Sequence, residues 1–417
     1  MNEIQSMNDE LNNQQSATLT RRRFLAQAGA SAISLAVVTP ALSPGAEAGS
    51  KIDIGLIGCG GRGQWIAELF HKHGGYNLVA VADYFQDKAD AAGNKFAVPP
   101  ARRFTGLSGY QRLLEQKLDA VVIESPPYFH PEQAAAAVEA GKHVYLAKPV
   151  AVDVPGCLSI EASGRKATAK KLCFLVDFQA RTLPIFHDAV QKIHNGELGK
   201  IVSVEAAYQT GPVGTAADAA RRADPQNAEL RLRAWPTDRV LSGDIITEQN
   251  IHALDMACGL LDAAPVRAYG AGGKAREFVG DCWDHFSVIF DFPGQVLATF
   301  NSIQVGFGFD DIACRVFGTK GTVDLHYFSK SAIKCTECSS AAEPGNLYTT
   351  GTEANIAAFH AAIVSCDHAN PTVAASVRSN LTTILGRTAA YQNRAVTWEE
   401  MLRNDERFVV NLQGLKA

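Results

Sequence analysis

The sequence lacks an excess of charge of either sign and, beyond residue 48, any long hydrophobic run. Among its 417 residues, 39 Lys and Arg stand against 43 Asp and Glu, which gives a formal net charge of −4. A strongly basic surface is therefore not expected, and nucleic acid is not a predicted partner. No later apolar stretch reaches the length of a membrane-spanning helix, so no membrane span is expected in the mature form. The length favours two globular domains.

The sequence also lacks the full ligand set of a structural metal site. It has nine cysteines, and only Cys335 and Cys338 have the C-x-x-C spacing of metal ligands. A structural zinc site needs four ligands, and no second pair of this kind is present, so we expect no metal. A disulfide between these two cysteines is compatible with an exported protein, although the spacing does not require one.

The N-terminal segment predicts export. Three consecutive arginines (21–23) precede an apolar run rich in Ala, Gly and Ser (26–38), and an A-x-A cleavage pattern ends at Ala48. This order predicts a twin-arginine signal over 1–48 and a periplasmic location. Because such signals carry folded proteins, a cofactor would be loaded in the cytoplasm, held tightly and regenerated in place.

A glycine-rich turn is the most informative motif. The apolar run 52–57 ends in Gly58, Gly60 and Gly63, with the spacing G-x-G-x-x-G, and an amphipathic segment follows. Such a turn joins a strand to a helix whose N-terminus faces the pyrophosphate of a dinucleotide. We therefore assign Gly58, Gly60, Gly61, Arg62 and Gly63 to cofactor binding.

An acidic residue ends the next predicted strand. The run 78–82 leads into Asp83, at about the ~20-residue distance at which a carboxylate accepts the ribose hydroxyls of NAD. Asp83 would repel a 2′-phosphate, which favours NAD over NADP. Arg62 could pair with such a phosphate, so NADP stays open as an alternative.

Strand and helix patterns alternate from residue 51 onward, as in a parallel sheet. Further apolar strands are predicted at 120–123, 143–146 and 172–176. Ligands bind beyond the carboxyl ends of such strands. The residues assigned to the cofactor there are Ser125, Pro126, His130 and Lys148.

The segments Ser125-Pro126-Pro127-x-x-His130 and Ala147-Lys148-Pro149, together with the glycine turn, resemble the Gfo/Idh/MocA oxidoreductases. The resemblance implies an α/β fold with an N-terminal Rossmann domain (49–172) and a C-terminal α/β domain (173–417). The second domain would contain a large, mostly antiparallel sheet that carries the substrate pocket and often an oligomer interface, so we expect a homo-oligomer. Alternating runs at 286–300 and 312–327 independently predict two hairpins.

Lys148 is the first predicted catalytic residue. The usual triplet of the family is Glu-Lys-Pro, and its lysine lies beside the nicotinamide and the reacting hydroxyl. In this sequence Ala147 replaces the glutamate, which removes a charge partner that would tune the lysine.

The second informative stretch is 242–255, predicted as one helix capped by Ser242 or Asp244. Glu248, His252 and Asp255 would then share one helix face. By resemblance to the family motif, His252 is catalytic, and Glu248, in place of the usual aspartate, orients it.

Three residues are expected to contact substrate: Arg181, Trp235 and Asp255. Arg181 follows a strand end near the cleft, but a structural ion pair is an equal alternative. Residues 211–236 show no clean period and are predicted as a long loop, of the kind that often has a function. Within it, Trp235 could equally stack on a sugar or belong to the core.

The predicted chemistry is hydride transfer between NAD and a sugar, glycoside or polyol C–OH, with Lys148 and His252 as the groups that would take the hydroxyl proton. A redox-neutral glycosidase or lyase that acts through a transient keto-sugar is the alternative. A binding or scaffold protein that keeps the fold without catalysis is a third hypothesis.

Overall fold

The computed structural model describes residues 51–343 and 345–417. The predicted twin-arginine signal lies outside the described residues. Within them, no helix is both long and apolar enough to cross a bilayer.

The first sheet is parallel and has six strands. These are β1 (Ile52–Ile57), β2 (Tyr76–Asp83), β3 (Arg103–Thr105), β4 (Ala120–Ile123), β5 (His143–Ala147) and β6 (Phe174–Asp177). Their order across the sheet is β3-β2-β1-β4-β5-β6. All four residues of β4 are buried, because helices cover both faces of such a sheet and its strands read as continuous apolar runs. This confirms the predicted Rossmann architecture.

Five helices connect these strands. They are α1 (Gly61–His73), α2 (Gln86–Lys95), α3 (Gly109–Leu114), α4 (His130–Glu139) and α5 (Val154–Ala169). The strand β6 pairs with β5, with Asp177 opposite Ala147, so the parallel sheet continues past the expected domain boundary at residue 172.

The second sheet has nine strands. They are β7 (Ile201–Gln209), β8 (Arg267–Gly273), β9 (His285–Phe292), β10 (Val296–Ile303), β11 (Asp311–Gly318), β12 (Gly321–His326), β13 (Ser331–Cys335), β14 (Ser339–Ala342) and β15 (Val396–Thr397). The order is β14-β13-β12-β11-β7-β10-β9-β8-β15, and only the β7–β10 pair is parallel. The predicted large, mostly antiparallel sheet and both hairpins are confirmed.

Nine further helices complete the described chain. They are α6 (Pro184–His194), α7 (Thr215–Arg221), α8 (Ala228–Arg233), α9 (Arg239–Ser242), α10 (Ile245–Glu248), α11 (Ile251–Leu261), α12 (Leu347–Ser365), α13 (Thr372–Gln392) and α14 (Trp398–Asn404). The prediction of a long loop over 211–236 is wrong, because α7 and α8 lie within it. Each is two turns or less, too short for a helical period to appear in the sequence.

The two faces of the second sheet differ. The strands alternate between buried and exposed residues, and α13 covers the buried face, where Gly386 lies against the Phe290 ring. The other face is open to solvent. Its exposed apolar side chains include Val202, Tyr269, Ile289, Leu297 and Ile303.

The C-terminal part of the chain also contributes to the core of the first domain. Phe359 on α12 packs edge-on against Tyr145 of β5, with ring centroids 5.6 Å apart. The Tyr76 hydroxyl donates to the carbonyl of Ile356 at 2.9 Å. The two sheets are therefore linked by more than the connection between β6 and α6.

Candidate active site

The glycine turn between β1 and α1 is shaped by two close contacts. Gly58 has φ +94°, and a Cβ there would lie 2.5 Å from the backbone nitrogen of Ser125. A Cβ on Gly63 would overlap the carbonyl oxygen of Gly58. A side chain at either position would disrupt the turn or the packing of α1 against it.

Gly60 and Gly61 have a different environment. No atom lies within 4 Å of a Cβ built on either residue, so both face open space. Gly60 is the N-cap of α1, and no side chain caps this helix end. Free N–H groups and the positive end of the helix dipole therefore meet a gap that a side chain would fill, which fits a pyrophosphate.

Asp83 lies beside this turn, at the end of β2. Its Oδ2 accepts from the Cys59 N–H at 2.7 Å, and its Oδ1 accepts from the Phe85 N–H at 2.9 Å. These bonds fix the carboxylate, whereas burial raises its pKa. Each oxygen keeps a lone pair for a ribose hydroxyl, so the donor set fits NAD.

The turn and Asp83 line a cavity of about 510 Å³. Its floor includes Ser125 and Pro126, which follow β4. Its other wall comes from α7, from Leu232 and Arg233 on α8, and from Trp235. The structure thus places Trp235 with the cofactor residues and beside an aromatic cluster that includes Phe85.

Arg62 points to the opposite side of β1 from Asp83. Its Nη2 donates to Asp177 Oδ2 at 2.8 Å, and its Nε lies 3.1 Å from Glu124 Oε2. Both carboxylates are fully buried, and burial raises the pKa of Glu124 to about 7. With its guanidinium engaged at the ends of β4 and β6, Arg62 does not serve a 2′-phosphate near Asp83, which corrects the expectation for this residue.

His130 braces two loops and is absent from the cavity wall. Its Nδ1 lies 2.8 Å from the carbonyl oxygen of Pro149, and its Nε2 lies 2.8 Å from that of Ser125. Burial lowers the pKa of His130 to about 4, so the ring is neutral and donates to one carbonyl at a time. Its predicted direct contact with the cofactor is replaced by a bridge between the ends of β4 and β5.

Lys148 follows β5 and is buried. Its Nζ donates to the backbone carbonyl of Glu248 at 2.5 Å and lies 3.3 Å from Glu248 Oε1. Burial lowers the pKa of Lys148, and the negative charge of Glu248 opposes this effect. Ala147 replaces the glutamate that was expected to be the charge partner of Lys148. Glu248, from the second domain, supplies a carboxylate instead.

The predicted helix over 242–255 is broken next to the contact with Lys148. The chain forms α10 and α11 instead, separated at Gln249 and Asn250. In a continuous helix the Glu248 carbonyl would accept from the N–H of His252, but here it accepts from Lys148 Nζ. Glu248 and His252 therefore do not share a helix face.

His252 is held by a tyrosine, and the prediction that Glu248 orients it is wrong. Its Nδ1 lies 2.9 Å from the hydroxyl of Tyr327. Tyr208 stacks on the imidazole, and Tyr348 meets it edge-on with centroids 5.3 Å apart. Burial, aided by the charges of Lys148 and Arg62, lowers the pKa of His252 well below its ordinary value.

The sequence analysis did not identify Tyr208 and Tyr327 as neighbours of His252. Tyr208 and Tyr327 occupy buried positions at or just beyond the ends of strands, where an aromatic residue is indistinguishable from core. The Tyr208 hydroxyl donates to Gln249 Oε1 at 3.0 Å, and the Gln249 amide donates to Glu248 Oε2. A chain of hydrogen bonds thus links Lys148 to the aromatic wall around His252.

Arg181 and Asp255 pair with each other. The Arg181 Nε donates to Asp255 Oδ2 at 3.1 Å, and its Nη2 donates to the other carboxylate oxygen. Arg181 also donates to Ser376 Oγ at 3.1 Å, and Asp255 is fully buried. This is the structural ion pair weighed for Arg181, and it occupies two of the three residues expected to contact substrate.

Cys335 and Cys338 are joined by a disulfide at the turn between β13 and β14. Among the described residues, Glu197 is the acidic group that approaches both sulfurs, with all three potential ligand atoms within 4.8 Å of one another. The cysteines are bonded to each other in this arrangement.

A dinucleotide-binding parallel sheet, joined to an antiparallel sheet by a buried lysine–carboxylate pair, defines a nucleotide-dependent oxidoreductase. Family models agree. Residues 52–175 match the oxidoreductase family with an NAD-binding Rossmann fold, and residues 186–324 match the GFO/IDH/MocA C-terminal domain. The chain belongs to the Gfo/Idh/MocA oxidoreductase family, and its first domain is the NAD-binding domain of that family.

Individual relatives are more distant. Glycosyl hydrolase family 109 protein 4 of Phocaeicola vulgatus is 28% identical over 167 residues, which cover 38% of this chain and only 31% of that protein. Inositol 2-dehydrogenase of Rhizobium meliloti is 28% identical over 280 residues, or 65% of this chain and 74% of that protein.

Solved structures share the fold. The scyllo-inositol dehydrogenase of Lactobacillus casei with bound NAD(H) and scyllo-inositol superposes with a TM-score of 0.65 at 18% identity. The superposition covers 84% of this chain and 99% of that one.

Proposed function

We propose that this protein transfers a hydride between a nicotinamide cofactor and the C–OH carbon of a sugar, glycoside or polyol, with NAD favoured over NADP. One observation carries the proposal. Lys148, bonded to Glu248, lies at the carboxyl edge of the sheet whose glycine turn opens to the cofactor cavity. Oxidation of an alcohol needs a group there that takes the hydroxyl proton. The inositol dehydrogenases among the relatives support a polyhydroxylated substrate.

Separate groups of residues bind the cofactor and accept the hydroxyl proton. Gly60, Gly61 and Asp83 hold the dinucleotide, which supplies the hydride acceptor when bound. Burial lowers the pKa of Lys148, so its amine reaches the neutral, proton-accepting form more readily than an exposed lysine. Glu248 fixes this amine in position. His252 contributes its second ring nitrogen to the oxygen of the substrate.

The test is NADH formation by the purified mature protein on a panel of polyols, aldoses and glycosides. We expect at least one of them to be oxidised by the wild type and not by Lys148→Met. Asp262→Asn, at an exposed helix end, is the matched control and keeps wild-type turnover. Equal turnover by the wild type and Lys148→Met would refute the assignment of Lys148.

We further propose that the cofactor is retained tightly. The adenosine side of the cavity is closed by contacts that we call the clasp: Glu229 and Arg233 on α8, and Lys416 near the C-terminus. Arg233 forms two hydrogen bonds with Asp87, at 2.7 and 3.2 Å, and Tyr84 donates to Glu229 at 2.9 Å. The Lys416 N–H donates to the same tyrosine hydroxyl at 3.0 Å.

Opening the clasp breaks several contacts together, which slows the release of a bound dinucleotide. The assay denatures the purified protein and measures NAD(H) in the supernatant. We expect stoichiometric NAD(H) in the wild type and faster loss on dialysis from Arg233→Ala. An empty wild-type protein that binds added NAD weakly would contradict retention.

A redox-neutral glycosidase or lyase is the second candidate. The glycosyl hydrolase family 109 relative favours it, and a retained cofactor suits a cycle in which a hydroxyl is oxidised, the aglycone is eliminated and the ketone is reduced again. Cleavage of an aryl glycoside without added NAD, with incorporation of solvent deuterium next to the oxidised carbon, would favour this reaction over net dehydrogenation.

We also propose twin-arginine export to the periplasm and a homo-oligomer formed through the open face of the second sheet. The signal pattern supports the first, and a fusion of residues 1–60 to a reporter tests it. The apolar side chains exposed on that face support the second, because contiguous apolar surface marks interaction sites.

A further inference from the structure

We infer that Tyr327 holds His252 in the tautomer that carries its proton on Nε2, so that His252 donates a hydrogen bond to the substrate oxygen and Lys148 is the base. This inference rests on the proposed function for its catalytic consequence, whereas the tautomer itself is a property of the protein alone. The observation that carries it is the 2.9 Å contact between His252 Nδ1 and the Tyr327 hydroxyl.

The first step concerns the hydroxyl proton of Tyr327. Both Tyr327 and His252 are buried, so the hydroxyl needs an acceptor inside the protein. Among the described residues, the partner left for the hydroxyl proton is His252 Nδ1.

The second step concerns the alternative tautomer. If His252 carried its proton on Nδ1, this N–H would donate to Tyr327, and the tyrosine proton would be buried without an acceptor. The observed pairing avoids this loss only when Tyr327 donates and Nδ1 accepts. A neutral imidazole then carries its single proton on Nε2.

The third step is that the ring stays neutral. Glu248, the carboxylate expected to stabilise a protonated His252, is bonded to Lys148 and Gln249 instead. Burial disfavours a second proton on the imidazole, and so do the charges of Arg62 and of Lys148 when it is protonated. No carboxylate bonds to the ring within the described chain.

The consequence is a division of roles. When bound, NAD would take the C–H electron pair of the substrate as hydride, while the O–H bond breaks, its proton goes to the neutral Lys148 Nζ and the C=O bond forms. His252 Nε2–H donates to the same oxygen and stabilises the charge that develops on it. Tyr327 is a positioning residue in this scheme.

The experiment reads the tautomer directly. The cofactor-bound protein is labelled with ¹⁵N-histidine, and long-range ¹H–¹⁵N spectra distinguish the protonated from the unprotonated ring nitrogen. The His252 signals are assigned by their loss in His252→Gln. We expect an unprotonated Nδ1 and a protonated Nε2 in the wild type, and a mixture of tautomers in Tyr327→Phe.

Tyr208→Phe is the matched control. It removes a hydroxyl from the ring that stacks on the same imidazole but bonds to Gln249, so the tautomer should not change. A wild-type spectrum with Nδ1 protonated, or an unchanged tautomer in Tyr327→Phe, overturns the inference. Should Tyr327→Phe fail to fold, the wild-type spectrum alone decides.

Kinetics then separate this inference from the proposed function. If the tautomer is as expected, Tyr327→Phe lowers kcat about 10²-fold, as loss of one oriented donor does, with KM changed less than about twofold. The expected tautomer in a protein that oxidises no polyol or sugar would leave the inference standing and refute the proposed function.

Discussion

Replacing Glu248 with Gln probes the contact that joins the two sheets at the site. The Lys148 Nζ and Glu248 Oε1 are 3.3 Å apart, and the two side chains are 6% and 11% exposed. At an effective dielectric constant of about 20, unit charges at this distance attract by about 5 kcal/mol, part of which offsets their desolvation. Removing one partner of a buried pair costs about 3–5 kcal/mol.

We expect Glu248→Gln to be at the lower end of that range, about 3 kcal/mol. The Gln side chain keeps the shape, and the 2.5 Å bond from Lys148 to the backbone carbonyl remains. The assay is urea unfolding of Glu248→Gln, Lys148→Met and the double variant, because a double-mutant cycle isolates the pair. Additivity within about 0.5 kcal/mol would refute the coupling.

The same variant makes a signed prediction for pH dependence. The negative charge of Glu248 raises the pKa of Lys148 against the effect of burial, so its loss lowers that pKa further. Because Lys148 accepts a proton only when neutral, the acid limb of kcat/KM for oxidation should move to lower pH. A limb that stays in place or moves to higher pH would show that this charge does not act on the base.

Four further outcomes are expected. Lys148→Met should lower kcat by at least about 10²-fold while NAD(H) content stays stoichiometric, as measured by steady-state kinetics and supernatant assay. Gly60→Val should lose bound NAD and keep the Tm of the cofactor-free wild type, whereas Gly58→Ala should lower Tm below that value, because its Cβ would meet Ser125. Arg181→Ala should cost about 3–5 kcal/mol in urea unfolding by stranding buried Asp255. Ile289→Asp should lower the mass measured by light scattering if the open sheet face joins subunits, and an unchanged oligomer would exclude that face.

The first domain could be predicted from the sequence because its signals are local. The strand 52–57, the glycine turn and Asp83 lie within a few dozen residues, and Gly63 has no room for a side chain beside the carbonyl of Gly58. Buried parallel strands also read as uninterrupted apolar runs. The family resemblance added Lys148, His252 and Glu248 as site residues. Glu248 was expected to orient His252, but in the structure it pairs with Lys148.

Partner choice could not be predicted, because it depends on which side chains meet across the fold. Arg62 could have faced a phosphate, but the ends of β4 and β6 present Glu124 and Asp177 to it. Arg181 likewise forms an ion pair with a residue that is distant in the sequence, Asp255. The sequence position of a charged residue does not show which residue it will pair with, because that depends on the order of the strands in the sheet.

The sequence by itself determined the parallel dinucleotide-binding sheet and the two hairpins of the second sheet, and its family resemblance pointed to Lys148 and His252 as candidate catalytic residues. Only the tertiary structure decided that Glu248 pairs with Lys148 and that Tyr327 forms a hydrogen bond with His252. The physical reason is that Lys148 and Glu248 are a hundred positions apart, and His252 and Tyr327 are seventy-five apart. Helical spacing favoured a Glu248–His252 pair, but the helix is interrupted at Gln249 and Asn250, and the Glu248 carbonyl accepts from Lys148.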